Sequence, residues 1–219
     1  MMDEHKFCFI ICTNDELQLE ECILYINLLH VPEGYQTELI TIKDATSMTS
    51  GYNEGMRATD AKYKIYLHQD SFIVEPFFLD KLLELFQKDK SIGMVGTLGT
   101  EHLSKDGVMW HEDRCGNVYL LNQHAGSRIE QLTQGYREVE ALDGLLMATQ
   151  YDLPWREDIF QDWHFYDVSQ CMEFRRAGYK VVVPGQEKNW VIHSCGICSL
   201  WQYEDNRKLL LQTYPEICG

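Results

Sequence analysis

Between residues 6 and 95 the chain alternates strand-length apolar runs with helix-length amphipathic segments, and that alternation limits the fold more than any other feature. Lys6 to Cys12 reads KFCFIIC, an apolar run without polar alternation, so it predicts a strand covered on both faces. Thr13-Asn14-Asp15-Glu16 follows, rich in capping groups and acids. Leu19, Cys22, Ile23, Ile26 and His30 then recur at helical spacing until Pro32 and Gly34 stop the helix. Glu38 to Lys43 (ELITIK) predicts a second strand ending at Asp44, and the polar, glycine-bearing stretch 46–59 a loop entering a short helix. Tyr63, Ile65 and Leu67 alternate with Lys62, Lys64 and Tyr66 in a third strand that runs into His68-Gln69-Asp70. Pro76 suits a first helical turn, Phe78, Leu82, Leu85 and Phe86 supply that helix's apolar stripe, and Ile92 to Val95 predicts a fourth strand. The expected class is α/β, a mostly parallel central sheet flanked by helices.

The second half is less regular. Residues 100–140 lack a clear period and predict a variable insertion or a small antiparallel excursion within one domain spanning 1–219. A strand or strand pair is expected around Asp143-Gly144 over 138–149, and a helix from Phe165 to Ala177 closed by Gly178. Strands are expected at 179–183 and 190–193, and a terminal helix at 200–213.

Charge excludes several functions. Against 19 Lys+Arg stand 34 Asp+Glu, a formal net charge of −15. Phosphate backbones and anionic membrane surfaces call for basic faces, so neither nucleic acid nor a membrane surface is an expected partner. No apolar run reaches the roughly 18 to 20 residues of a membrane span, and the first residues lack signal-peptide character, so no direct membrane insertion and a cytoplasmic location are expected. An acidic chain that binds a small anion needs a bridging cation. The eight cysteines read as reduced thiols in that setting, and the single C-x-x-C at Cys195–Cys198 as packing rather than a zinc or redox motif.

In open α/β sheets ligands sit at the carboxyl ends of the strands. The residues there are Thr13 and Asn14, then Asp44, then His68-Gln69-Asp70, and later Asp143 and His193. The set carries carboxylates and imidazoles. It has no nucleophile elbow, no G-x-x-x-x-G-K-[ST] and no G-x-G-x-x-G, so P-loop and dinucleotide readings lack their parts.

Four stretches, in order, carry a family resemblance. They are Ile11–Asn14; Glu38–Asp44 followed by Gly51–Met56; Ile65-Tyr-Leu-His-Gln-Asp-Ser-Phe-Ile73; and His164–Asp167 followed by Glu173-Phe-Arg-Arg-Ala-Gly-Tyr179. Over most of residues 6–195 the chain resembles family 2 glycosyltransferases of the GT-A (nucleotide-diphospho-sugar transferase) fold, and within them the streptomycin-biosynthesis-type domains. The resemblance implies an inverting, metal-dependent transfer of sugar from a nucleotide-diphospho-sugar, UDP-linked by default, to a hydroxyl acceptor. That acceptor is a glycan, a lipid-linked sugar or a protein.

Residue by residue, the resemblance implies that Asp70 is the dependable ligand of the family's D-x-D motif, with His68 in the first Asp position and Gln69 between them, both contacting the nucleotide-sugar; a strand-end turn with ordinary hydrogen bonds is the alternative for the triplet. The divalent cation, Mn²⁺ or Mg²⁺, bridges the phosphates. His193 is a further ligand, with a partly buried, backbone-bonded histidine as the alternative. His164 is an accessory ligand or acceptor contact, or a packing residue. Asp167 is the general base that takes the acceptor proton, kept ionised by its helix N-terminus. Its alternative is an N-cap, and Asp162 is the fallback base. Thr13, Asn14 and Asp44 line the nucleotide pocket, with helix capping as the alternative for the first two. Asn53 and Arg57 approach the nucleotide, Arg57 at phosphate or on a solvated helix face. Asp143 and Gly144 contact donor sugar or acceptor, or form an ordinary turn. Trp163 is an acceptor platform or a packing residue. Two other functions stay open: a catalytically silent nucleotide-sugar-binding domain, suggested by His68 in the D-x-D position, and a nucleotidyltransferase, which shares the carboxylate–metal logic.

Overall fold

The structure is a computed structural model and describes residues 2–120, 129–194 and 199–219; the C-x-x-C at Cys195–Cys198 lies outside the described residues. The first half runs β1 (Asp3–Thr13), α1 (Glu16–Asn27), β2 (Gln36–Lys43), α2 (Met48–Ala58), β3 (Ala61–Leu67), β4 (Ser71–Ile73), α3 (Phe78–Lys88) and β5 (Ile92–Gly96). Short strands follow: β6 (Leu98–Thr100), β7 (Arg114–Gly116), β8 (Val118–Leu120), β9 (Ile129–Glu130), β10 (Tyr136–Glu138), β11 (Ala141–Leu142) and β12 (Leu146–Thr149). The chain closes with α4 (Tyr166–Arg176), β13 (Lys180–Pro184), β14 (Val191–His193) and α5 (Tyr203–Thr213).

The main sheet has seven strands in the order β10-β13-β5-β12-β3-β1-β2. Five of them point the same way; β12, inserted between β3 and β5, and β10 at the edge run opposite. The sheet is thus mixed at the two positions where no helix crossover intervenes. Stretch 100–140 supplies β10 to the edge of the main sheet and strands to two small sheets, β11-β6-β7-β9 and β4-β14-β8, the second of which proves central to the site.

The apolar run of β1 has its explanation in two cores. Phe7, Phe9 and Ile11 point to one face, under Leu19, Cys22 and Ile26 of α1 and Phe78, Leu82 and Phe86 of α3. Cys8, Ile10 and Cys12 point to the other, among Tyr52 of α2 and Tyr166, Cys171 and Phe174 of α4. A strand buried on both sides has no polar face to alternate with.

The 46–59 stretch is more regular than expected. It forms an eleven-residue helix whose N-cap Ser47 and Ser50 make a reciprocal capping box. Its polar look is a packing device: a Cβ on Gly51 would meet Cys12 Sγ, and one on Gly55 would meet Ile10. The two glycines, four residues apart, let α2 lie directly on β1. At the other end of the fold α4 closes as expected, with Gly178 at φ +85°.

Candidate active site

The site assembles where β3 ends. The His68 N–H donates to Leu145 O (3.1 Å), and the Ser71 N–H donates back to His68 O (3.1 Å), closing a tight turn over His68-Gln69-Asp70. β4 then leaves this turn and pairs antiparallel with β14, in a register that sets His193 opposite Ser71. The Ser194 N–H donates to Asp70 O (2.9 Å) and locks that register. Residues 123 positions apart in the chain become neighbours: His193 Nε2 lies 3.3 Å from Asp70 Oδ1, and His68 Nδ1 3.9 Å from the same oxygen.

Ligand atoms of His68, Asp70 and His193 all lie within 4.8 Å of one another. Burial works against the Asp70 charge, yet the His193 hydrogen bond and both imidazoles outweigh it and hold its pKa below the ordinary range. Burial lowers His193, but the bond to Asp70 and the charges of Asp143 and Asp70 raise it overall. Burial and His193 together depress His68, which favours a neutral imidazole with a free lone pair. Two imidazoles and one carboxylate, partly buried and close together, form a donor set suited to a divalent cation.

Gln69 faces the opposite way and ties this turn to the end of β1. Its Oε1 accepts the Thr13 hydroxyl (2.7 Å) and the N–H groups of Asn14 (3.0 Å) and Asp15 (3.1 Å), while its Nε2 donates to Asn14 Oδ1 (2.7 Å). Helix capping falls to Asp15, whose carboxylate accepts from Leu17 and Gln18. Thr13 and Asn14 are therefore shaped by Gln69 and not by the helix. Asp44 sits beside them: Thr13 pairs with Lys43 in register, and Asp44 follows at φ +58°, exposed.

The start of α4 supplies the second half of the site. Phe165 adopts φ +60°, and the helix begins at Tyr166. Asp167 is thus inside the first turn and is not the N-cap. Its carboxylate accepts the N–H of Val168 (2.8 Å) and, from across the site, that of Gly144 (3.2 Å). The helix terminus does not keep this group at an ordinary carboxylate pKa. Burial, reinforced by the nearby Asp143 charge, pushes Asp167 up to about 7. The helix end contributes less than these two effects because the carboxyl shares its half-buried position with a second acid.

Tyr166 joins the two halves. A Cβ on Gly144 would collide with the Tyr166 hydroxyl, so only glycine admits this ring. The hydroxyl shares a hydrogen bond with His68 Nε2, the nitrogen turned away from Asp70. Nothing in the sequence distinguishes this tyrosine beyond its place next to Asp167. Arg114 of β7 is a second residue that sequence reasoning passed over. It is 8% exposed, stacked over the Trp110 ring at 4.7 Å, and within the field of Asp143.

Two expected nucleotide contacts are engaged elsewhere. Asn53 is fully buried and clasps the backbone of Trp155, donating to its O (2.8 Å) and accepting its N–H (2.9 Å). Arg57, in the last turn of α2, is exposed and pairs with Glu157 at 2.7 Å. Asp162 likewise accepts from Asn206 (3.0 Å), and His164 stacks edge-on against Tyr203 (5.2 Å). Trp163 is half exposed.

Residues 8–214 match a protein family described as glycosyltransferase-like, and the chain belongs to it. No curated protein sequence matches. Among solved structures, the mannosyltransferase PcManGT from Pyrobaculum calidifontis, in complex with GDP-Man and Mn²⁺, superposes with a TM-score of 0.61 at 11% identity, covering 97% of this chain and 63% of its own. S. aureus TarS 1–349 in complex with UDP gives 0.61 at 9% identity, covering 97% and 69%. The catalytic domain of Drosophila β1,4-galactosyltransferase 7, in complex with xylobiose, gives 0.53 at 12%, covering 90% and 73%. The fold is that of GT-A glycosyltransferases, and the chain spans under two thirds of the length of the mannosyltransferase. Among the described residues no helix is long and apolar enough to cross a membrane.

Proposed function

We propose that the chain, acting as one domain over 1–219, is an inverting, metal-dependent glycosyltransferase of the streptomycin-biosynthesis type, working in the cytoplasm. It moves a sugar from a UDP-linked donor to a hydroxyl acceptor. The observation that carries this reading is the His68/Asp70/His193 cluster, whose His68 shares a hydrogen bond with Tyr166, the residue next to Asp167 at the start of α4. A diphosphate-holding site and a proton acceptor are then neighbours, as a displacement at an anomeric carbon requires.

His68, Asp70 and His193 hold the cation, and the donor set favours Mn²⁺ over Mg²⁺, which prefers an all-oxygen shell. A bound divalent cation supplies charge neutralisation for the leaving diphosphate. Thr13, Asn14 and Asp44, on the loops fixed by Gln69, hold the nucleoside. Asp143 and Gly144 border the sugar. Asp167 accepts the acceptor hydroxyl's proton as that oxygen bonds to the anomeric carbon and the bond to the diphosphate breaks. Asp167 is half-buried, so a hydroxyl reaches it while its pKa of about 7 matches a base working near neutrality.

Donor turnover tests the reading. Release of UDP from UDP-sugars in the presence of Mn²⁺, abolished by Asp167→Asn with UDP affinity unchanged, is expected. UDP binding without turnover over a broad acceptor panel would instead make the chain a silent binding domain.

A further inference from the structure

Helix α1 is apolar on two opposite faces. Leu19, Cys22 and Ile26 bury its inner face in the core. On its outer face Leu17, Leu24 and Leu28 stand 78%, 64% and 76% exposed. Successive spacings of seven and four residues put all three within roughly 40° of one line along the helix, and helical geometry continues through Leu28. Leucines scattered singly on a surface are ordinary. Three in one stripe, about 17 Å long, form a contact surface.

The charges along this stripe are as specific as its apolar residues. Leu17, Glu21, Leu24 and Leu28 follow one another at steps of four, three and four residues, the spacing of a coiled-coil seam. Leu17 and Leu24 take its d positions, Leu28 an a position, and Glu21 the other a position; Glu20 borders the seam. Both glutamates are exposed, and among the described residues neither forms an ion pair. Within the helix stand Glu16, Glu20 and Glu21 and no lysine or arginine, and Glu16 is neutralised by Lys43 at 2.7 Å.

That pattern discriminates among occupants. In a parallel pairing with a second copy, Glu21 would face its own counterpart. In an antiparallel pairing it would be buried against leucine with no cation. A net charge of −15 on each chain opposes either pairing. An anionic lipid surface is repelled for the same reason, and a helix lying on one carries basic residues on its polar face, which α1 lacks. A charge at a seam position selects a partner that carries the opposite charge there. We propose that the outer face of α1 is a docking site for a basic amphipathic helix of another protein, with leucine-type residues in its own seam and lysine or arginine opposite Glu20 and Glu21. The inference stands apart from the transferase reading.

The test uses two synthetic three-heptad peptides with the same leucine seam. One carries lysine opposite Glu21 and at the flanking positions, and its twin carries glutamate there. Binding to the full chain is read by fluorescence anisotropy for wild type, Leu24→Asp, Leu17→Ser and Glu21→Lys, all exposed positions, with thermal unfolding to confirm that each is folded. Wild type is expected to bind the basic peptide at least tenfold more tightly than the acidic twin. Leu24→Asp and Leu17→Ser are each expected to weaken that binding about tenfold, and Glu21→Lys to cut the preference for the basic peptide about tenfold. No binding of the basic peptide, or binding that both leucine variants leave unchanged, would overturn the inference. Sedimentation equilibrium and flotation with anionic vesicles examine the other occupants. Self-association or vesicle binding that Leu24→Asp abolishes would give the stripe to a second copy or to a lipid surface and overturn it as well.

Discussion

Asp167 Oδ2 accepts the backbone N–H of Gly144 across 3.2 Å, binding the first turn of α4 to the Asp143-Gly144 turn. At this junction burial, and after it the neighbouring Asp143 charge, raises the pKa of Asp167. A base must be ionised, so kcat/KM is expected to rise with pH through an apparent pKa near 7. Asp143→Asn removes the like charge and keeps an acceptor for the Leu145 N–H (3.0 Å). Its profile is expected to move to lower pH. An unmoved profile would show that another group limits the rate.

The same pKa predicts a trade between activity and stability. The folded pKa of Asp167 is raised, so ionising it costs stability, and the cost develops between the unfolded value of 3.8 and about 7. Asp167→Asn is expected to melt at a higher temperature than wild type at pH 8, and at the same temperature as wild type at pH 4. The variant is also expected to lose transfer. Thermal unfolding at the two pH values checks the sign.

Tyr166 is expected to tune the cation site without touching it. Its hydroxyl orients His68 through Nε2 and leaves Nδ1 toward Asp70. Tyr166→Phe keeps the ring against Gly144 and removes only this bond. Mn²⁺ affinity, read by electron paramagnetic resonance titration, is expected to fall about tenfold. An unchanged affinity would place His68 outside the coordination sphere.

Asn53 separates structure from binding. Removing its clasp on Trp155 leaves a buried N–H and C=O without partners, at a cost of roughly 1–3 kcal/mol each. Asn53→Ala is expected to lower the melting temperature and leave UDP affinity intact at a temperature where it is folded. A selective loss of UDP binding would return Asn53 to the nucleotide site.

The strands and most helices were legible because their signals are local. KFCFIIC announces a doubly covered strand, and the strand-end positions follow from it. His193 was placed by the resemblance, but its nearness to Asp70 depends on the antiparallel register of β14 on β4, which no local pattern encodes. Asn53 and Arg57 looked available because sequence cannot show that Trp155 and Glu157 fold back onto α2. The raised pKa of Asp167 has a related cause. Its helix position is written locally, whereas its burial and its companion Asp143 are tertiary facts. Tyr166 was missed because its significance lies in reaching His68, 98 residues away.

Calorimetric titration of UDP into the full chain, with Mn²⁺, with EDTA, and with Asp70→Ala in Mn²⁺, tests whether His68, Asp70 and His193 hold a cation through which a nucleoside diphosphate binds. Binding in Mn²⁺ that vanishes in EDTA and in the variant is predicted. Binding of UDP that is equally strong in all three conditions, or absent in Mn²⁺ for UDP, GDP and dTDP alike, would contradict it.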